Sequence, residues 1–378
     1  MISDEFARLV SPADSFDARP AMASLLRFAS AKRASDLHLS PRAETVELAL
    51  RQDGVLRRQA ELPLPVYQRL LVGVKNMAGL ASYKKSVPQE GSMQVEGMEV
   101  RVATAPTVFG ERVVMRLLAR TSAPPDLASL GFTQVELQAL QALVDRPQGL
   151  VLATGPAGSG KTTTLLALMR WLYATHRERM RADGQAALSV VTLEDPVEFV
   201  VPEFHQTEIA EAMGMTFAEG LRSILRQDPE VVLVGEIRDE ETARASVQAG
   251  LSGHLVFSTL HAPDTVGVVP RLLELGVAPY QLGAALAGVV SQRLLRRLCH
   301  CSGAGCDNCG ESGYHGRTAV PEILPFTEDL AQLVLDHAPL RELRALAVAA
   351  GMRGLREVAM ERSRDGLTDE AEVRRVLG

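Results

Sequence analysis

The chain has 378 residues, 46% of them apolar, more than one hydrophobic core usually organises, so two or three domains are expected. A formal net charge of -6 and a pI near 5.8 argue against a broad nucleic-acid-binding surface, which depends on clustered Lys and Arg, while leaving room for a local basic face. The opening MISDEFARLV carries acid where a secretory signal carries base, and no run approaches the roughly 18 apolar residues of a membrane helix; the expected address is the cytoplasm.

In chain order, residues 20–34 (PAMASLLRFASAKRA) space their apolar positions as an amphipathic helix does. DLHLS and VELALR then alternate like strands, and an Asp53-Gly54 turn leads into VLRRQ. LPVYQRLLVGVKNMAGL reads as helix, and MEVRVATAP and ERVVMRLLA as two further strands. TSAPPD (121–126) is the expected hinge, because paired prolines break helices and strands alike. Four apolar runs of strand length follow, Leu150 to Thr154, Leu188 to Glu194, Val231 to Glu236 and His254 to Leu260. Helix-like segments separate most of them, which predicts a parallel sheet covered on both faces. From about residue 320 the pattern turns helical, through EDLAQLVLDHA, LRELRALAVAAG and EAEVRRVL, with Gly351 as a C-cap. There is no internal repeat.

The strand LVLAT runs into Gly155-Pro156-Ala157-Gly158-Ser159-Gly160-Lys161-Thr162-Thr163, which fits G-x-x-x-x-G-K-[ST] and opens a helix with Leu165, Leu168, Met169 and Leu172 on one face. Beyond Lys85, Lys161 is the only lysine in the chain. Glycines let backbone N–H groups turn inward onto a β-phosphate, Lys161 neutralises β- and γ-oxygens, and the Thr162 hydroxyl suits Mg²⁺; ATP with Mg²⁺ is the expected ligand. Hydrolysis also needs carboxylates. Glu236 ends the apolar VVLVGEIRD, with Gly235 where many such ATPases carry aspartate, and Glu194 and Asp195 end VVTLEDPVEF. Paired acids at a strand end are often only solvated; beside a phosphate loop in the same sheet they point to chemistry. Cys299, Cys301, Cys306 and Cys309 crowd into eleven residues, which fits a metal better than a disulfide scaffold. Four thiolates suit tetrahedral Zn²⁺, the alternative being four reduced thiols in a loop.

These blocks together resemble the secretion ATPases of type II secretion and type IV pilus assembly, the GspE/PilB family. The resemblance rests on ASDLHLSP, RQDGVLR, RVATAPTVFGERVVMRLL, GPAGSGKTT, TLEDPVEF, SILRQDPEVVLVGEIRDEETA and GHLVFSTLHAPD in that order, and covers residue 26 to the end. It implies an α/β fold class: a leader (1–25), a PAS-like α/β domain (26–120), a linker (121–128), a RecA-like P-loop NTPase domain (129–298), a zinc knuckle (299–318) and a C-terminal helical region (319–378). It further implies that Glu194 is the base that orients water, with Asp195 and Glu198 near it. Glu236 would lie near magnesium, and His254 and His261 would sense the nucleotide or a neighbouring subunit. Arg101, Arg116, Arg222 and Arg226 would meet the γ-phosphate; Arg222 and Arg226, four apart on LRSILR, are expected on one helix face, and read from the residues alone all four are as well explained as solvated arginines.

The implied assembly is a homo-hexamer that drives pseudopilus or pilus assembly through an inner-membrane platform protein, held peripherally at the membrane and without nucleic acid. The cysteine cluster departs from the family pattern in its C-x-C first pair and short loop. Three rival readings stand beside this one: a pilus retraction motor, a RecA-like nucleic-acid motor, and a nucleotide-binding scaffold without turnover.

Overall fold

The computed structural model describes residues 4–11, 15–118, 124–183 and 188–378. Positions 121–123 of the expected hinge lie outside the described residues, as do 1–3 and 12–14 of the leader. The chain divides into two compact units, Met1–Thr121 and Ser122–Gly378.

The first unit runs α1 (Asp4–Leu9), α2 (Ala18–Ala31), β1 (Ala34–Pro41), β2 (Thr45–Gln52), β3 (Val55–Pro63), α3 (Leu64–Met77), β4 (Gln89–Val95), β5 (Met98–Thr107) and β6 (Gly110–Leu118). Its sheet has the order β3-β2-β1-β6-β5-β4 with every neighbouring pair antiparallel. Strand alternation sorts the two faces. Leu37, Leu39, Leu48, Leu50, Val100, Val102, Val113 and Met115 join a core with Met22, Leu25 and Leu26 of α2 and Leu70 and Val74 of α3. Phe6 and Phe16 belong to that core, so the described residues of the leader contribute to its packing. The Asp53-Gly54 turn forms as expected: both residues have positive φ (46° and 81°), the two-residue turn whose twist matches the flanking strands. β4 had no counterpart in the sequence reading, because QEGSMQV is polar and carries an interior glycine.

The second unit runs α4 (Gln134–Val144), β7 (Gly149–Thr154), α5 (Lys161–Asp183), β8 (Val190–Glu194), β9 (His205–Glu208), α6 (Phe217–Ile224), β10 (Val231–Ile237), α7 (Glu240–Leu251) and β11 (Leu255–Leu260). It continues through α8 (Val268–Glu274), α9 (Pro279–Ala285), β12 (Leu286–Leu298), β13 (Tyr314–Pro325), α10 (Glu328–Leu335), α11 (Leu340–Ala349), α12 (Leu355–Arg364) and α13 (Glu370–Leu377). The sheet order is β13-β12-β7-β11-β10-β8-β9; all neighbours are parallel except β12 and β13. β7, β8 and β11 are buried along their whole length, as apolar parallel strands between two helix layers must be. Leu150 and Leu152 enter the core with α6 and α7, whereas Val151 and Ala153 face the core with α4 and α5.

Two expectations are corrected. The chain is not helical from about 320, since β13 runs on to Pro325 before the helices begin. Pro321 hid it; a proline is tolerated there because β13 is an edge strand. With β12 it forms a long hairpin whose tip carries the four cysteines, and Leu295 and Val320 of its outer half pack on Val358, Ala359 and Val373 of α12 and α13. The four-residue spacing of Arg222 and Arg226 also does not lie on one α-helix: α6 ends at Ile224, and Arg226 sits in a 3-10 turn, Leu225–Gln227.

Candidate functional site: a phosphate loop ringed by carboxylates

Parallel strands collect their ligand-binding residues at their C-terminal ends, and here β7, β8, β10 and β11 all end around one cleft of about 240 Å³. Ala157, Lys161, Thr162, Glu194, Asp195, Pro196, Glu198, Phe217, Gly235, Glu236, Thr259 and His261 line it. Larger depressions exist, one of about 680 Å³ against α11 and one of about 560 Å³ on the first unit's sheet. Chemistry, not volume, singles out this cleft.

The loop from Gly155 to Gly160 joins β7 to α5. Gly155, Gly158 and Gly160 have φ of 139°, 73° and 85°, a region L side chains avoid, and a Cβ on Gly155 or Gly160 would lie 2.6 Å and 2.8 Å from atoms of Gln292. Lys161 Nζ donates to the Gly155 and Pro156 carbonyls at 3.0 and 3.1 Å. Burial lowers its pKa and Arg293 adds to that, against the pull of Glu236. Behind the loop stands a residue the sequence reading passed over: Gln292 of β12, 2% exposed, donates to the Ser159 carbonyl at 2.7 Å and accepts from the Thr164 hydroxyl at 2.8 Å. Its signal was a glutamine inside the apolar run LAGVVSQRLL.

Glu194 is 2% exposed. One oxygen, Oε1, accepts from the Thr192 hydroxyl (2.7 Å) and the Gln206 amide (2.9 Å); among the described residues no side-chain donor reaches the buried Oε2. Burial raises the pKa of this carboxyl and the Glu198 charge raises it further, while hydrogen bonds from Gln206, Thr192 and the Glu198 backbone act the other way. Glu236 is ion-paired to Arg238 and lies where the pairing of β10 with β11 shifts register. Gly235 before it has a steric reason: a Cβ there would come within 3.0 Å of the Leu193 carbonyl and 3.1 Å of the Phe217 ring. An aspartate does not fit that space without a shift.

His261 follows β11 and lines the cleft, but His254 stands at the opposite end of the same strand, about 20 Å away, with Nδ1 on the Ala249 carbonyl at 3.1 Å. Arg222 and Arg226 are exposed outside the cleft lining, and Arg222 pairs with Glu241 at 2.7 Å. Arg101 and Arg116 belong to the first unit, on the sheet face opposite its core. They are direct cross-strand partners, and Asp36 is in turn opposite both Arg116 and Arg51, so one row across four strands carries three arginines and one aspartate. Arg116 Nε donates to Asp36 at 3.0 Å; Arg101 makes no ion pair among the described residues. Like charges directly opposite one another oppose sheet stability, and Asp36, paired to Arg116 and to Arg51 at 3.7 Å, offsets part of that repulsion.

At the hairpin tip, Sγ atoms of Cys299 and Cys306, Cys301 and Cys309, and Cys306 and Cys309 lie 3.8, 3.9 and 3.8 Å apart. All four come within 4.8 Å of one another. A tetrahedron with Zn–S bonds of about 2.3 Å has edges of about 3.8 Å, so the donor set fits zinc. Backbone N–H groups of Cys306 and Gly313 donate to Cys309 Sγ at 3.2 and 3.3 Å, as suits a thiolate.

Comparison with known proteins bears on the whole chain. The family described as Type II/IV secretion system protein matches residues 15–375. The type II secretion system protein HxcR of Pseudomonas aeruginosa is 39% identical over 99% of this chain and 81% of its own length. The type IV pilus assembly ATPase PilB of Thermus thermophilus is 36% identical over 92% of this chain, which spans only 42% of that protein's length. In fold, the chain is similar to the ATPase DotB of Yersinia pseudotuberculosis, with a TM-score of 0.72 at 22% identity over 96% of this chain and 94% of that one. Among the described residues no helix is long and apolar enough to cross a membrane.

Proposed function

Because this chain belongs to the Type II/IV secretion system protein family, we propose that it is an ATP-hydrolysing motor of pilus or pseudopilus assembly and protein secretion. The observation that carries this reading is the convergence of Lys161, Thr162, Glu194 and Glu236 on one cleft at the strand ends, with the Glu194 carboxyl buried beside a phosphate loop. In this reading the loop amides and Lys161 hold the β- and γ-phosphates of ATP, Glu194 aligns the attacking water, and the cleft walls exclude other water. The Thr162 hydroxyl and Glu236 would hold Mg²⁺, which supplies charge neutralisation on phosphate oxygens when bound. His261 is placed to register the nucleotide; His254, Arg222 and Arg226 would act from outside the cleft, towards a neighbouring subunit.

The arginine row of Arg101 and Arg116 extends the reading to an assembly. In a homo-hexameric ring, that surface would meet the triphosphate of a neighbouring copy, and loss of the γ-phosphate would release it. Each turnover then becomes movement, passed to an inner-membrane platform protein by a cytoplasmic ring held peripherally at the membrane. The cysteine tip would carry a structural Zn²⁺ with no open position.

Steady-state phosphate release by the wild type and by Lys161→Ala tests the enzyme; a loss of about a hundredfold or more is expected in the variant. Cells lacking the protein should lose pili or secretion. Pili that persist but no longer retract would overturn the assembly reading.

A further inference from the structure

We infer that Gln206 is a positioning residue of the hydrolytic site: its amide, together with the Thr192 hydroxyl, pins one oxygen of Glu194 so that the other is free to serve the reacting water. The inference rests on the reading of Glu194 as the water-orienting carboxylate. Gln206 lies on β9, the outermost strand, opposite Thr192 in the parallel pairing with β8. No sequence motif marked it.

Its amide has a single orientation that satisfies its neighbours. Oε1 accepts from Val201 N–H at 2.6 Å, and Nε2 donates both to the Phe199 carbonyl and to Glu194 Oε1, each at 2.9 Å. A flipped amide would set N–H against N–H and oxygen against oxygen at Val201 and Phe199. The loop after β8 thus dictates that an N–H faces Glu194. Thr192, itself fully buried, adds its hydroxyl to the same oxygen at 2.7 Å, so both side-chain donors converge on Oε1 and neither on Oε2.

The arrangement also counters a cost. Glu194 is buried and faces acidic company: Asp195 and Glu198 from the following loop, Glu236 from β10 and its register partner Glu208 from β9. Lys161 from α5 and His261 after β11 are the cationic or titratable groups of the cleft, and Arg238 is held by Glu236. Burial foremost, and then the Glu198 charge, favour the protonated form, which cannot accept a proton from water; the Gln206 and Thr192 hydrogen bonds, and after them the Glu198 backbone N–H, favour the carboxylate. Removing either donor should therefore move the pH at which the site becomes competent.

The test is the pH profile of phosphate-release kcat from about pH 6 to 9 for wild type, Gln206→Leu, Thr192→Val and Glu194→Gln. The acidic limb should move up by about one pH unit in Gln206→Leu and in Thr192→Val, with activity converging on wild type at alkaline pH and KM for ATP changed by less than about threefold. A merely structural role would lower kcat evenly at every pH. Should Gln206→Leu fail to fold, the near-isosteric Thr192→Val decides alone. An unmoved limb, with turnover still abolished in Glu194→Gln, overturns the inference and leaves the hydrolytic reading standing; turnover that survives Glu194→Gln overturns both.

Discussion

Replacing Gln292 with leucine should loosen the phosphate loop from behind without touching any ligand atom. The amide is 2% exposed and joins β12 to the Ser159 carbonyl and the Thr164 hydroxyl. Leucine keeps the volume and strands both partners. A buried polar group left without a bond costs about 1–3 kcal/mol, and Thr164 can relieve part of its share by turning its hydroxyl to the Gly160 carbonyl one turn back; the net loss is about 2–4 kcal/mol. For a unit of this size each kcal/mol is about 2–4 °C, so calorimetry should record a Tm lower by roughly 4–16 °C. Nucleotide affinity, measured by fluorescent-analogue titration, should weaken by about tenfold, because the loop no longer enters binding in its cradle shape. Gln292→Glu should bind nucleotide more weakly still, since it sets a negative charge behind an anion site and an oxygen against the Ser159 carbonyl. A Tm within about 2 °C of wild type with unchanged affinity would refute the reasoning.

Two further outcomes follow from groups remote from the cleft. Metal analysis of protein purified under reducing conditions should find one zinc per chain, and Cys309→Ser, which removes the sulfur that two other thiols and two amides surround, should lose it and lower the Tm. Glu372 is buried, which alone would raise its pKa, yet bonds from Arg375 and Arg296 hold it at about 2. Its folded pKa thus lies below its unfolded one, so its contribution is complete above about pH 5 and fades as pH falls towards 2. Urea titrations should find Glu372→Gln less stable by about 2 kcal/mol near neutrality, after allowance for solvent at Arg375, with the gap closing in acid. A gap that stays constant with pH would contradict that origin.

Much of the second unit was legible because its strands are buried on both faces: continuous apolar runs such as LVLAT and VVLVG have one structural meaning when helices separate them. The phosphate loop was legible because its glycines answer a backbone need and its lysine a charge. What escaped was whatever depends on partners far along the chain. Gln292 is 128 residues from Thr164, and although its place in the apolar run LAGVVSQRLL hinted at burial, nothing in the sequence said which groups it would bond. β9 and Gln206 were missed because a four-residue edge strand has no period to detect. β13 was hidden by a proline that only an edge position excuses. The paired acids illustrate the limit most clearly: TLEDPVEF announced carboxylates at a strand end, but that Gln206 and Thr192 both bond one oxygen of Glu194 is a three-dimensional fact.

The central claim is that Glu194 acts on water at a triphosphate the phosphate loop holds. It is tested most directly by measuring ATP bound and phosphate released on the same preparation of Glu194→Gln. The account predicts ATP binding within a few-fold of wild type and phosphate release lower by about a thousandfold, since the uncharged amide keeps the shape and loses the base. Phosphate release within about tenfold of wild type, with ATP bound normally, would contradict it.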